Sequence, residues 1–193
     1  MSKEKKEVLF FVDTLSNKRF DIYISGDITE PKQYIEIFDV LRNAQRGDEI
    51  RMFFNSGGGN LWTAMQFISC MNSSDALIEG IIEGECHSAA SLIFLSCHNF
   101  DVPEFGTMLC HYCTSGYRAK GHELSQWFEH SEPHLKNIFK NIYKDFFNKE
   151  EIEEMINGKD FWLDGNEIVK RLKRKVEEQE KPEKPKKKKG KKK

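Results

Sequence analysis

The sequence predicts an α/β fold built from βαβ units. Short runs rich in β-branched and aromatic residues alternate with segments of helical periodicity. The runs end in glycine or polar turns, and crossover helices between strands favour a parallel sheet. No internal repeat points to another architecture.

Taken in order, "VLFFV" (8–12) and "RFDIYISGDI" (19–28) read as strands. Residues 30–44 read as a helix, with Pro31 near its start and Tyr34, Ile35, Phe38 and Leu41 at helical spacing. "EIRMFFNS" (49–56) is a strand that runs into Gly57, Gly58 and Gly59, and residues 60–72 form the next helix. Residues 76–84 are a buried strand, a buried helix starts at Ser88, and residues 107–113 are another strand. From Gly121 to about Phe147 a long amphipathic helix carries Leu124, Trp127, Phe128, Leu135, Ile138, Phe139, Ile142 and Phe146. Pro133 predicts a kink or a break within it. Residues 149–158 form a short helix closed by Gly158, and "KDFWLDG" is a turn before the last helix.

The chain has 193 residues, enough for one domain with a sizeable core. The organisation expected is an N-terminal segment (1–18), a domain (19–176) and a disordered Lys-rich tail (177–193). The net charge of −1 hides an asymmetry. The last 13 residues hold nine Lys and one Glu, so residues 1–180 carry −9. No aromatic residue interleaves with those lysines, which argues against specific nucleic-acid recognition. The tail suits solubility or a weak electrostatic contact. The apolar run near the N-terminus is short and lacks a signal-peptide cleavage pattern, and no segment has the length of a membrane span. A cytoplasmic protein is expected, and its five cysteines, an odd number, are expected to be reduced and mostly buried.

Chemistry gathers around four places. Ser88 follows a buried strand and opens a helix. Its side chain therefore lies at the positive end of the helix dipole, beside backbone N–H groups that lack helical acceptors, Ala89 first. The glycine run lets a backbone approach a ligand; its adjacent glycines fit neither a P-loop nor a dinucleotide fingerprint. His111 lies on an apolar strand, and Asp160 leads toward the last helix. Alone, each has a plain structural reading: an N-cap, a turn, a satisfied core histidine, a capping carboxylate. Together they supply nucleophile, base and orienting acid. Ser91, one turn into its helix, reads as a small packing residue.

The chain resembles the proteolytic subunit of the Clp protease, ClpP, from about Arg19 to Leu172. "FFNSGGG" is similar to the family's "INSPGG", and "GECHSAASLIFLSC" to its "GxAAS" segment. Counting four residues on from Gly84 puts the family's nucleophile on Ser88 and not on Ser91. "TMLCHYC" resembles "MIHQP", which implies a catalytic role for His111, and "KDFWLDGNEIVKRL" resembles the segment bearing the catalytic aspartate, which implies Asp160. The resemblance implies a ClpP/crotonase-like spiral of βαβ units with a protruding handle helix. It also implies a serine endopeptidase acting on unfolded polypeptides inside a homo-oligomeric ring (a heptamer or double heptamer), without cofactor or metal. An ATP-dependent AAA+ unfoldase partner would feed it. Backbone N–H groups of Gly58 or Gly59 and of Ala89 would receive the oxyanion.

This chain departs from the pattern at Gly57, at Cys86 and His87, and at Tyr112 and Cys113. The departures suggest a divergent, phage-type member, with His87 crowding the site or touching substrate. Three other readings stand beside this one: a catalytically silent scaffold, a crotonase-like acyl-CoA enzyme, and a zinc site at Cys110 and Cys113 with Cys97, His98 and His111 nearby. The last is disfavoured because residues three apart on a strand point to opposite faces.

Overall fold

Alternating apolar residues set the central sheet. Ile22, Ile24, Ile50, Met52, Phe54, Ile78 and Ile82 are buried at every second position of three adjacent strands, while residues between them are partly or fully exposed. The computed structural model describes residues 17–113 and 120–179. The strand read at 8–12 lies outside them, as does the Lys-rich tail beyond 179.

The strands are β1 (Arg19–Ile28), β2 (Glu49–Gly59), β3 (Leu77–His87), β4 (Asn99–Asp101), β5 (Thr107–Cys110) and β6 (Phe161–Asp164). The helices are α1 (Ile35–Asn43), α2 (Leu61–Met71), α3 (Ala89–Phe94), α4 (Gly121–Tyr143), α5 (Lys149–Ile156) and α6 (Gly165–Gln179), with a 3-10 turn at Pro31–Tyr34 before α1. The sheet order is β1-β2-β3-β5-β6, with β4 also on β3. Every pairing is parallel except β5 with β6. This mostly parallel α/β sheet is the fold class predicted from sequence.

β4 and β5 share one edge of β3. β4 pairs with Glu79–Ile81, and β5 pairs with Glu85–His87. The far end of β3 is thereby carried past β4 and delivered beside β5, which is how Ser88 and His111 come together. α1, α2 and α3 seal the inner face through Phe38, Leu41, Phe67, Leu92 and Phe94. Phe38 and Phe67 meet edge-on with centroids 4.8 Å apart. Phe54 and Phe94 do so at 5.5 Å.

Several elements differ from the sequence reading. The helix after Ser88 spans only Ala89–Phe94, and β5 stops at Cys110, so His111, Tyr112 and Cys113 lie beyond the strand. "FWLD", read as part of a turn, is β6, paired antiparallel with β5; Asp164 then caps α6 by accepting from Glu167 N–H at 2.9 Å. α4 is one helical span across Pro133, with no break. α6 runs to Gln179, past the domain boundary expected at 176.

The two halves of α4 differ. Leu135, Phe139 and Tyr143 are buried in its C-terminal half. From 121 to 134 no described side chain is buried, and Phe128 is 56% exposed. No helix among the described residues is long and apolar enough to cross a membrane.

Candidate active site

Ser88 occupies the elbow between β3 and α3 with φ 53° and ψ −122°. That is the conformation of the first central residue of a type II′ turn, which side chains other than glycine rarely adopt. Such a backbone persists only where its surroundings hold it. Here Ser88 N–H donates to Leu109 O at 2.8 Å, pinning the elbow to β5 two residues before His111. The Ser88 carbonyl accepts from Ser91 N–H at 3.0 Å and from Ser91 Oγ at 2.7 Å.

The result is a direct contact: Ser88 Oγ and His111 Nε2 are 2.7 Å apart. Both line a cleft of 430 Å³ with Gly59, Ala89, Leu92, Trp62, Trp127 and Phe139. A hydroxyl at this distance can pass its proton to Nε2 when the ring carries its other proton on Nδ1. A wall of apolar and aromatic residues beside a few polar groups suits an extended apolar ligand.

Asp160 is exposed and sits just before β6, and among the described residues no hydrogen bond joins it to His111. Its placement is still informative. The β5–β6 ladder ends at Cys110 opposite Phe161, so the chain neighbours of that last pair are His111 and Asp160.

Gly59 lines the cleft, and Gly58 and Gly59 have φ +97° and +142°. A Cβ on Gly58 would lie 2.6 Å from His87 O and 2.7 Å from Ser88 Cβ; one on Gly59 would run into the Ile28 carbonyl. Only glycine lets β2 pass this close to the elbow. The Gly58 N–H donates to Ser56 Oγ at 3.1 Å, while Ser56 itself donates to Gly26 O. Ala89 N–H heads α3 and has no helical acceptor.

His87 points elsewhere than expected. Its Nδ1 lies 3.2 Å from Glu85 Oε2, its Nε2 lies 3.1 Å from Thr107 Oγ1, and its ring meets Trp162 edge-on. It does not line the cleft. Burial holds its pKa below the ordinary value, with Glu85 pulling the other way. Side chains alternate along β3, so a buried Cys86 sends His87 to the opposite face. Tyr112, after His111, packs edge-on against Phe139, and its buried hydroxyl has no hydrogen-bond partner among the described residues.

No disulfide forms among the five cysteines, all of them described; Cys70, Cys86, Cys97 and Cys110 are buried and Cys113 is half-buried. Burial pushes the Cys110 thiol up to about 12 and the Cys86 thiol well above its ordinary value. Neutral thiols are poor metal ligands. Among the described residues no group of three or more His, Cys, Asp or Glu is placed to hold a metal ion.

Sequence reasoning missed Tyr143. Its hydroxyl lies 2.8 Å from Ser91 Oγ, directly behind the elbow. It was not among the apolar residues of the helical stripe read from the sequence, and nothing there signalled a hydrogen bond to a residue 52 positions away.

A serine at a strand–helix elbow, against an imidazole on a mostly parallel α/β sheet, is the layout of the serine-hydrolase class. Within that class the family is specific. A family model, Clp protease, matches residues 4–171, so the chain belongs to the Clp protease family and has its ClpP-like peptidase domain. A search of curated proteins finds no match for the chain.

Proposed function

We propose that the protein is a serine endopeptidase that hydrolyses unfolded polypeptides. The observation that carries this reading is the 2.7 Å contact between Ser88 Oγ and His111 Nε2 inside the cleft. His111 takes the Ser88 proton as the hydroxyl attacks a peptide carbonyl, and returns it to the leaving amine. Asp160 moves against the imidazole and holds the proton on Nδ1. Ala89 N–H receives the oxyanion, joined by Gly58 once substrate displaces its contact with Ser56, or by Gly59. The glycine edge of β2 pairs with an extended substrate, which makes binding tolerant of sequence.

The working form is a homo-oligomeric ring of family type, with the sites inside a chamber and an ATP-driven unfoldase supplying substrate. Support for assembly comes from α4, whose N-terminal half, 121–134, buries no described side chain and carries an exposed Phe128. The protein acts in the cytoplasm.

The test joins hydrolysis to mass. Purified protein is given an unfolded polypeptide substrate and a fluorogenic peptide, and its mass is measured by light scattering. Cleavage by an oligomer, abolished in Ser88→Ala, supports the reading. A stable oligomer without cleavage of either substrate would make the chain a silent scaffold; addition of water to the double bond of an enoyl thioester, supplied in a parallel assay, without peptide cleavage would make it crotonase-like.

A further inference from the structure

We propose that Tyr143, acting through Ser91, is a positioning residue that fixes the Ser88–Ala89 peptide with its N–H toward the oxyanion. The proposal rests on reading Ser88 as the nucleophile.

Ser91 Oγ lies 2.7 Å from the Ser88 carbonyl and 2.8 Å from the Tyr143 hydroxyl. A carbonyl only accepts, so Ser91 spends its single proton there. Tyr143 then donates to Ser91, giving a directed chain from Tyr143 to Ser91 to the Ser88 carbonyl, with the buried Cys110 thiol beside both hydroxyls. Each bond in such a chain polarises the next. Ser91 is fully buried, and so is Tyr143. The Tyr143 ring is held by Phe147 edge-on at 5.6 Å and by Phe139 at 5.9 Å, so its hydroxyl has a fixed place.

The Ser88 carbonyl and the Ala89 N–H belong to one planar trans peptide and point in opposite directions. Holding the oxygen inward, on Ser91, turns the N–H outward, toward the cleft that Ser88, Ala89 and His111 line. Ser91 N–H already holds the Ser88 carbonyl at 3.0 Å, and the Tyr143–Ser91 chain adds a second hold on the same oxygen against rotation of this peptide at a strained backbone. That rotation would swing the oxyanion donor away while leaving the contact between Ser88 Oγ and His111 free to persist.

The test uses full-length protein with Tyr143→Phe, Ser91→Ala and the double variant. Readouts are kcat and KM on a fluorogenic peptide, the rate of labelling by a fluorophosphonate, the pH profile and the melting temperature. Each single variant should lower kcat and the labelling rate about three- to tenfold, the size of one lost hydrogen bond. KM and the apparent pKa of the pH profile should stay as in wild type, because the cleft wall and His111 are untouched. The double variant should lose no more than the worse single one, since both cut the same chain. Wild-type kcat in Ser91→Ala, full additivity, or a loss carried by KM would overturn the proposal. Should Tyr143→Phe fail to fold, Ser91→Ala alone decides. Labelling of wild type that persists in Ser88→Ala is a different failure: it removes the nucleophile assignment itself.

Discussion

Ser88 Oγ meets His111 Nε2 at 2.7 Å although 23 residues separate them in sequence. The meeting is made by β3, which passes β4 and pairs its last residues with β5, so that both side chains leave the sheet at the same end. If this contact moves a proton, His111→Ala should lower kcat/KM by about 10²–10⁴, with little change in melting temperature. Steady-state kinetics with a fluorogenic peptide and a thermal melt check both parts. A near-normal rate would remove the general-base role.

Asp160 makes a subtler prediction. It lies one residue before β6, next to the end of the β5–β6 ladder, and no bond to His111 is made among the described residues. Asp160→Asn should leave stability nearly unchanged, because the residue is exposed. Peptide turnover should fall by about 10²–10⁴ through loss of the correct imidazole tautomer. Unchanged turnover would leave a Ser–His pair working alone.

Gly58→Ala tests the close approach of β2 to the elbow. The new Cβ would sit 2.6 Å from His87 O on a backbone with φ +97°. The variant should lose about 2 kcal/mol or more of stability and most of its fluorophosphonate labelling. Gly26, also at positive φ but with nothing near its Cβ position, gives the control: Gly26→Ala bears strain without the clash and should keep labelling.

The Glu151–Arg171 pair predicts a pH dependence of stability. Arg171 Nη1 and Nη2 donate to Glu151 at 3.1 and 2.8 Å, and Arg171 lies over Phe147 at 4.7 Å. Burial alone would raise the Glu151 pKa, but the Arg171 and Asn148 hydrogen bonds outweigh it and bring the pKa below the ordinary 4.5. A carboxyl with a depressed folded pKa contributes stability that is present above 4.5 and is lost as pH falls through the folded value. Glu151→Gln should cost about 1–3 kcal/mol at neutral pH, and much less at pH values below the folded pKa. Denaturant titrations across acid pH check this; an equal cost at every pH would assign the loss to packing.

What could be read from sequence followed from how local its cause was. β1 was read at its observed bounds because "RFDIYISGDI" alternates apolar and polar residues between turns. The contact of Ser88 with His111 was reachable because a serine opening a helix and a histidine on an apolar strand can supply nucleophile and base, and the family resemblance pointed to the same two residues. β6 was missed because four residues between Lys159–Asp160 and Gly165 look like a turn until β5 is there to pair with them. The direction of His87 was missed because it depends on β5 supplying Thr107 and on β6 supplying Trp162. Tyr143 was missed as a partner of Ser91 because a hydrogen bond across the core depends on tertiary placement, which no local pattern carries.

The most direct measurement is to react the protein with a fluorophosphonate and locate the adduct by peptide mass spectrometry. The account predicts one modified residue, Ser88, and loss of the adduct in His111→Ala. An adduct on Ser91 or another serine, or equal modification of Ser88 without His111, would contradict it.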